Sequence, residues 1–433
     1  MLRMPNTAHG RGVRIFPPNL WGAGSDVGSL SSGTWTPGRN GDGIITQASV
    51  DALPANEWVR VAGTQFQALT DLIAANGFAF PGDVYSSEKT VLGTFRAWVG
   101  CCNDGRYIFY PRGGGHNDSS MNGIWSMDVL KMGWGVVDHP SKPNAPEAPW
   151  TIEYKTSGSF TICRLAGGSG TDTDGLTLDR LPDGKPTSAH TYGGVWYDKK
   201  NKRLCTGRLS KWSYDLAPGV WSRERWIRGG VPAQFDPGQE FYYYAPKHKL
   251  FGYPSYFESD WYSFGSCPGD GLTWTNLPKP SNWRGKGAGT FLVPIDEHRL
   301  LWFWVAETDG LEKWAIFDMA SETWNVGTGA APSVGGLDRK NTGEMQVGMF
   351  IPTWGTQGQI IRTGGGSPVW NLWWLFDIAS GENIEYPAVG ARPTTITLAG
   401  NKYLTLPHLG IALALNDRVA NLSTPAVHIM RYQ

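Results

Sequence analysis

Six times along the chain, an apolar run, a short polar turn and a second apolar run follow one another. The first three copies are Ala97–Val99 with Cys102–Gly105 and Tyr107–Phe109, Gly194–Tyr197 with Asp198–Lys202 and Leu204-Cys205, and Phe241–Tyr244 with Pro246–Lys249 and Leu250-Phe251. The others are Phe291–Val293 with Asp296–Arg299 and Leu300–Trp304, Val347–Ile351 with Thr353–Gln359 and Ile360-Ile361, and Thr395–Leu398 with Gly400–Lys402 and Tyr403-Leu404. Short apolar runs around a polar turn predict β-hairpins.

A second pattern follows each hairpin. An aromatic run ends in Asp, and a Trp comes six residues later: Trp125–Asp128 with Trp134, Trp212–Asp215 with Trp221, and Ala315–Asp318 with Trp324. Trp261–Phe264 leads to Trp274 after a longer turn, and Trp374–Asp377 leads to Ile384 with the Trp replaced. Asp starts a turn by bonding backbone N–H groups, and the Trp opens an outer strand that covers its neighbour. Four strands per unit of about 50 residues predict an all-β chain, a β-propeller of four-stranded blades.

Six hairpins predict six blades. The last lacks its fourth strand, because the chain ends at Val427–Tyr432. Residues 56–63, with Glu57–Val61, have the form of that strand, so the N-terminal strand is expected to pair with the C-terminal ones and close the ring, removing a free sheet edge. A seventh blade from residues before Thr90 is the alternative, and no seventh hairpin is found there. Residues 64–76 predict a short helix with Thr64 as N-cap, Phe66, Leu69, Leu72 and Ile73 on one face, and Gly77 after its end. Residues 1–55 read as an extended N-terminal arm, residues 56–433 as the propeller, and residues 141–183 as an insertion between blades.

The chain has 433 residues, with 57 Gly, 22 Trp and 18% charged residues. That low charge and high aromatic content exclude a coiled coil and wholesale disorder. Lys plus Arg and Asp plus Glu number 38 each, so no global field draws nucleic acid or an anionic membrane. No apolar run is long enough for a spanning helix. Cys101, Cys102, Cys163, Cys205 and Cys267 form no C-x-x-C pair and read as free thiols. No secretory signal peptide is visible at the N-terminus.

The Gly113-Gly114-Gly115 run after the second strand, the aromatic-Asp-turn-Trp unit and the phrase Pro182 to Gly194 resemble Kelch-type, galactose oxidase-like propellers. The chain also resembles propellers encoded by bacteriophages and bacteria. The resemblance spans roughly residues 90–433; it is specific for fold and nearly silent on function. Galactose oxidase-like enzymes would need a copper set of two tyrosines, two histidines and a Cys–Tyr cross-link. No such set can be assigned, so no metal or cofactor is expected.

His116 follows the glycine run and His190 precedes the first strand of blade 2, in loops expected on one face. Arg112, Asn117, Asp118 and Tyr192 would join them. Such a set could bind a sugar or act as acid and base, or it could simply tie loops together. Flat aromatic faces suit sugars, but most tryptophans occupy repeat positions. Trp21, Trp35 and Trp150 lie outside the repeat and are expected to contact a partner or glycan.

Two functions are weighed. One is a non-enzymatic structural or adhesion protein of a phage virion (fibre, tail or capsid-associated), a homo-oligomer docked on other virion proteins through its arm and binding host glycans. The other is a glycan-active hydrolase, lyase or oxidase at the propeller axis.

Overall fold

The computed structural model describes residues 14–15, 27–78, 91–96, 99–112, 121–141, 152–157, 160–165, 180–189, 191, 193–207, 210–228, 231–233, 240–253, 264–278, 280, 291–305, 312–325, 347–363, 373–386, 389–393, 403–416 and 422–432. Six antiparallel four-stranded sheets form a ring: a six-bladed β-propeller. From inner to outer strand, blade 1 is Cys102–Asn103, Tyr107–Pro111, Ile124–Asp128 and Gly133–Asp138. Blade 2 is Val195–Asp198, Arg203–Thr206, Lys211–Asp215 and Val220–Glu224. Blade 3 is Glu240–Tyr244, Lys249–Tyr253, Gly265–Pro268 and Thr273–Asn276. Blade 4 is Phe291–Pro294, Arg299–Val305, Glu312–Asp318 and Thr323–Asn325. Blade 5 is Val347–Ile351, Gln359–Thr363, Trp373–Asp377 and Glu382–Glu385.

Blade 6 joins the two ends of the chain. Tyr403–Leu406, Ile411–Leu415 and Val427–Arg431 take Trp58–Val61 as their outer strand, with Ile429 opposite Val59 and Met430 opposite Trp58. The expected closure by an N-terminal strand is what the sheet order gives. The arm continues outward from it: Thr34–Thr36 pairs in parallel with Trp58–Val61, and Ser29–Ser31 pairs with Thr34–Thr36. Arg14–Ile15 pairs with the outer strand of blade 1. Within the expected insertion, Ile152–Ser157 and Phe160–Leu165 form a hairpin.

Alternation along the strands explains how blades cohere. Successive side chains point to opposite faces, so each strand feeds two seams. In blade 4, Leu300, Trp302 and Trp304 pack against Phe251, Tyr253 and Phe264 of blade 3. The intervening Leu301 and Phe303 pack with Ile360 and Phe376 of blade 5. The same division recurs around the ring: Cys102 and Phe109 meet Val195 and Leu204, Trp196 and Cys205 meet Phe241 and Leu250, and Met349 and Ile361 meet Ala412 and Met430. The seam between blades 6 and 1 also takes the helix Phe66–Ala75, which buries Phe66, Leu69, Leu72 and Ile73.

The repeated Asp caps its own turn as expected. Asp128 accepts from Leu130 N, Asp215 from Ala217 N, Asp318 from Ser321 N and Asp377 from Ser380 N. The repeated Trp holds the preceding blade. Trp221 Nε1 donates to Asp138 at 2.9 Å, Trp324 Nε1 to Pro278 O at 2.8 Å, and Trp58 Nε1 to the Tyr386 hydroxyl at 3.1 Å. Each acceptor lies at or just beyond the end of the previous blade's outer strand, so one indole both fills a seam and pins it.

Several local expectations are corrected. In blade 1 the strand paired with Tyr107–Pro111 is Cys102–Asn103, because Asp104 makes the turn by accepting from Arg106 N and Tyr107 N; Ala97 and Trp98 lie outside the described residues. In blade 6 the hairpin is Tyr403–Leu406 with Ile411–Leu415; Pro407–Leu409 forms a 3-10 turn that Gly410 ends at φ +66°. Thr395–Leu398 lies outside the described residues. In blade 3 the third strand is Gly265–Pro268, so Pro268 holds the Asp position and Trp274 keeps the usual spacing. In blade 5 the Trp position belongs to Asn383, opposite Phe376, while Ile384 is 50% exposed. Gln65, not Thr64, precedes the helix; the Thr64 hydroxyl donates to Val61 O and accepts from Val427 N, stapling the closing strand.

Candidate functional site

The inner strands of all six blades surround one cavity of about 420 Å³. Asn103, Val195, Tyr242, Val293, Met349 and Thr405 each come from a different blade. Asp104, Lys199 and Ala245 carry its wall to the first hairpin turns, so the cavity reaches the face bearing those turns. Close approach of the inner strands needs small residues: a Cβ on Gly348 would lie 2.8 Å from Val293 Cγ2.

The cavity wall is partly aromatic, and Asp104 and Lys199 are its charged members among the described residues. Tyr197, Tyr242, Tyr243 and Phe350 are its partly exposed rings, and the Tyr243 hydroxyl is held by Asp198 and His248. Burial pushes the Tyr242 phenol up to about 12, with Asp296 and Glu297 adding to it. Burial also raises Tyr197 and the Cys102 thiol. Tyr243 rises through burial and then through Asp198. These groups are neutral near pH 7 and act there as hydrogen-bond partners, not as bases. Aromatic rings and hydroxyls, with Asp104 and Lys199 at the mouth, suit a polyhydroxyl ligand.

A second cluster sits where blades 2 and 3 meet. Asp198 ends the inner strand of blade 2 and is buried. It accepts from Lys200 N and Asn201 N, and Asn201 Nδ2 donates to its Oδ2 at 2.8 Å. Tyr243 of blade 3 donates its hydroxyl to Asp198 Oδ1 at 3.0 Å and lies 2.6 Å from His248 Nδ1. His248 Nε2 is 2.9 Å from Asp270 Oδ2, and its Nδ1 is 3.6 Å from Asp198 Oδ1. Asn201 and Lys200 of blade 2 also donate to Asp270. His248, Lys200 and Asn201 together hold the Asp270 carboxyl well below the usual carboxylate range. Lys211 Nζ of blade 2 grips the same turn by donating to Gly269 O and Gly271 O. Ligand atoms of Asp198, His248 and Asp270 all lie within 4.8 Å of one another.

The residues singled out in the sequence are placed differently. His116, Asn117, Asp118, His190, Tyr192, Trp21 and Trp150 lie outside the described residues. Arg112 is fully buried at φ +59°; its Nε donates to Thr187 O at 2.7 Å and its guanidinium lies over the Trp212 ring. Ala189 N donates to Arg112 O, so the segments leading to His116 and His190 are joined at the seam of blades 1 and 2. Trp35 is 2% exposed and fills the core between blades 6 and 1 instead of offering a face to a partner. The four cysteines whose side chains are described, Cys101, Cys102, Cys205 and Cys267, are buried. Among the described residues no helix is long and apolar enough to cross a membrane.

The cavity wall and the cluster between blades 2 and 3 escaped the sequence reading. The Asp198 turn was visible, but its meeting with Asp270 depends on the packing of two blades.

No protein-family profile matches the chain, and no curated protein matches it. Among solved structures, the chain is similar to one from the mitotic checkpoint complex at 11% identity and TM-score 0.38, covering 77% of this chain and 86% of that one. It is similar to the computationally designed Ika8 protein at 9% identity and TM-score 0.34, covering 78% and 96%. It is also similar to NanB in complex with Optactamide, at 11% identity and TM-score 0.41, covering 78% and 68%. Likeness at this level carries no functional argument.

Proposed function

We propose that this propeller is a non-enzymatic adhesion and structural component of a phage particle, of Kelch-like descent, that binds host-surface glycans in its axial cavity. The tyrosine-rich part of that cavity's wall carries the reading. Its phenols donate and accept hydrogen bonds, its rings offer apolar faces, and its raised phenol and thiol groups are poor acid–base catalysts near pH 7.

Two further features support a place in an assembly. The arm strands Ser29–Ser31 and Thr34–Thr36 widen blade 6 and leave Val27 and Leu30 about half exposed at its rim. The chain carries no net charge, so no global field drives docking on other virion proteins or on further copies of itself, and this apolar strand edge is a surface available for it.

A glycan-active enzyme is the second reading, favoured by Tyr243, which belongs both to the cavity wall and to the Asp198, His248 and Asp270 cluster. A glycan array with the parent protein and Tyr242→Ala separates the readings. Adhesion predicts retention of intact glycans, weakened at least tenfold in the variant. Release of shortened or oxidised products from bound glycans contradicts it.

A further inference from the structure

We propose that His248 is a proton-operated latch at the seam of blades 2 and 3. With both ring nitrogens protonated it ties Asp198 of blade 2, through Tyr243, to Asp270 of blade 3; loss of one proton opens the tie and turns the Tyr243 hydroxyl. Four groups surround the ring: Asp198 and Lys200 from the first hairpin turn of blade 2, Tyr243 from the inner strand of blade 3, and Asp270 from its outer turn. Lys211 of blade 2 donates to the carbonyls of Gly269 and Gly271 in that outer turn, and Lys247, next to His248 in sequence, pairs with Glu322 of blade 4.

Hydrogen counting fixes the charge of the ring. Tyr243 has one hydroxyl hydrogen and two neighbours for it, Asp198 Oδ1 at 3.0 Å and His248 Nδ1 at 2.6 Å. On the other side of the ring, buried Nε2 lies 2.9 Å from Asp270 Oδ2 without a well-directed hydrogen bond, so the attraction there is one of charge. The Asp270 carboxyl is ionised, and an Nε2 lone pair would repel it, so Nε2 carries a hydrogen. Were Nδ1 bare, the Tyr243 hydrogen would serve it, and Asp198 Oδ1 would face a phenol oxygen with no hydrogen between them. With a hydrogen on Nδ1 as well, Tyr243 accepts from the ring and donates to Asp198, and each short contact is attractive.

Charge balance agrees. Asp198 and Asp270 share one ammonium, Lys200, which lies 3.2 Å from Asp270 Oδ2; the imidazolium supplies the second cation. The ring has no room to swing away from a mismatch, because Gly269 lies against it, where a Cβ would be 2.5 Å from Cε1. A histidine in the unfolded chain gives up this proton near pH ~6.5. The tie favours the charged ring, so it is whole below that pH and is lost as pH rises beyond it. In the open form Tyr243 donates to Nδ1 and Asp198 keeps only the donors of its own turn, Lys200 N, Asn201 N and Asn201 Nδ2. Tyr243 borders the axial cavity, so the change reaches the cavity wall.

The test uses the full-length protein labelled with ring-¹⁵N histidine and read by NMR. His248→Asn suits the left-handed backbone at φ +46° but cannot be charged, and it marks the His248 signals by their loss. Asp270→Asn changes an exposed side chain. The proposal predicts hydrogens on both ring nitrogens of His248 at pH 7, and about tenfold weaker proton affinity of that ring in Asp270→Asn. Hydrogen exchange of residues 199–202, taken as a ratio to the equivalent blade 4 turn at residues 296–299, should rise at least fivefold from pH 6 to pH 9 in the parent and stay high throughout in His248→Asn. A ring with one bare nitrogen at pH 7, an unchanged ratio in the parent, or unchanged proton affinity in Asp270→Asn overturns it.

Discussion

His428 stands directly opposite Arg60 in the strand pair that closes the ring. Its Nδ1 lies 2.7 Å from Ala391 O, the geometry of a donated hydrogen bond, and its side chain is buried. Burial, helped by the Arg60 charge and opposed by the Ala391 bond, lowers its pKa from 6.5 to about 4. The unfolded chain therefore takes up this proton first as pH falls. Stability is full above about pH 6.5 and declines toward pH 4, by at most ~3 kcal/mol from this one group. The urea midpoint followed by Trp fluorescence should drop between pH 7.5 and 4.5, and His428→Asn should flatten that drop. Carboxylates held low, such as Asp270, Asp318 and Asp377, lose their contribution only at lower pH.

Removing residues 1–63 leaves Val427–Arg431 as an unpaired edge and strips the outer strand from blade 6. The truncated protein should self-associate in light scattering and melt earlier than the full chain. A milder change is Trp58→Ala. Trp58 is fully buried between blades 5 and 6 and bonds Tyr386. A loss of about 3–5 kcal/mol is expected in denaturant unfolding, the usual cost of emptying a large aromatic site.

The seam tryptophans should divide into two classes. Trp302 is fully buried between Tyr253 and Phe264, so Trp302→Ala should cost about 3–5 kcal/mol. Trp221 is half-buried, and Trp221→Phe removes mainly its bond to Asp138, which Lys185 still pairs. About 1 kcal/mol is expected there. Equal losses at both positions would contradict the assignment of Trp221 as a pin and Trp302 as core.

The ring was legible because its signals are local. A hairpin turn, a capping Asp and a Trp six residues later each depend on neighbours in sequence, and they located the blades and the closing strand. Register was legible only where turn signals were unambiguous. In blade 3, Pro268 hid the Asp position and the aromatic Trp261–Phe264 run drew the third strand too early. In blade 6, Gly400-Asn401 resembled a turn more strongly than Pro407–Gly410 did. The sites were hidden for another reason. Tyr242 and Tyr243 sit side by side on one strand; Tyr242 packs with the blade 3–4 seam and Tyr243 with the blade 2–3 seam, and both border the cavity. Only the closed ring decides that. Trp35 stood outside the repeat and so invited a binding role, but the parallel pairing of its strand with Trp58–Val61 carries it into the core.

The most direct measurement is quantitative mass spectrometry of gradient-purified phage particles beside the lysate they came from. The account predicts that peptides of this chain band with the particles in a fixed copy number. Abundant peptides in the lysate with none in the particles would contradict it.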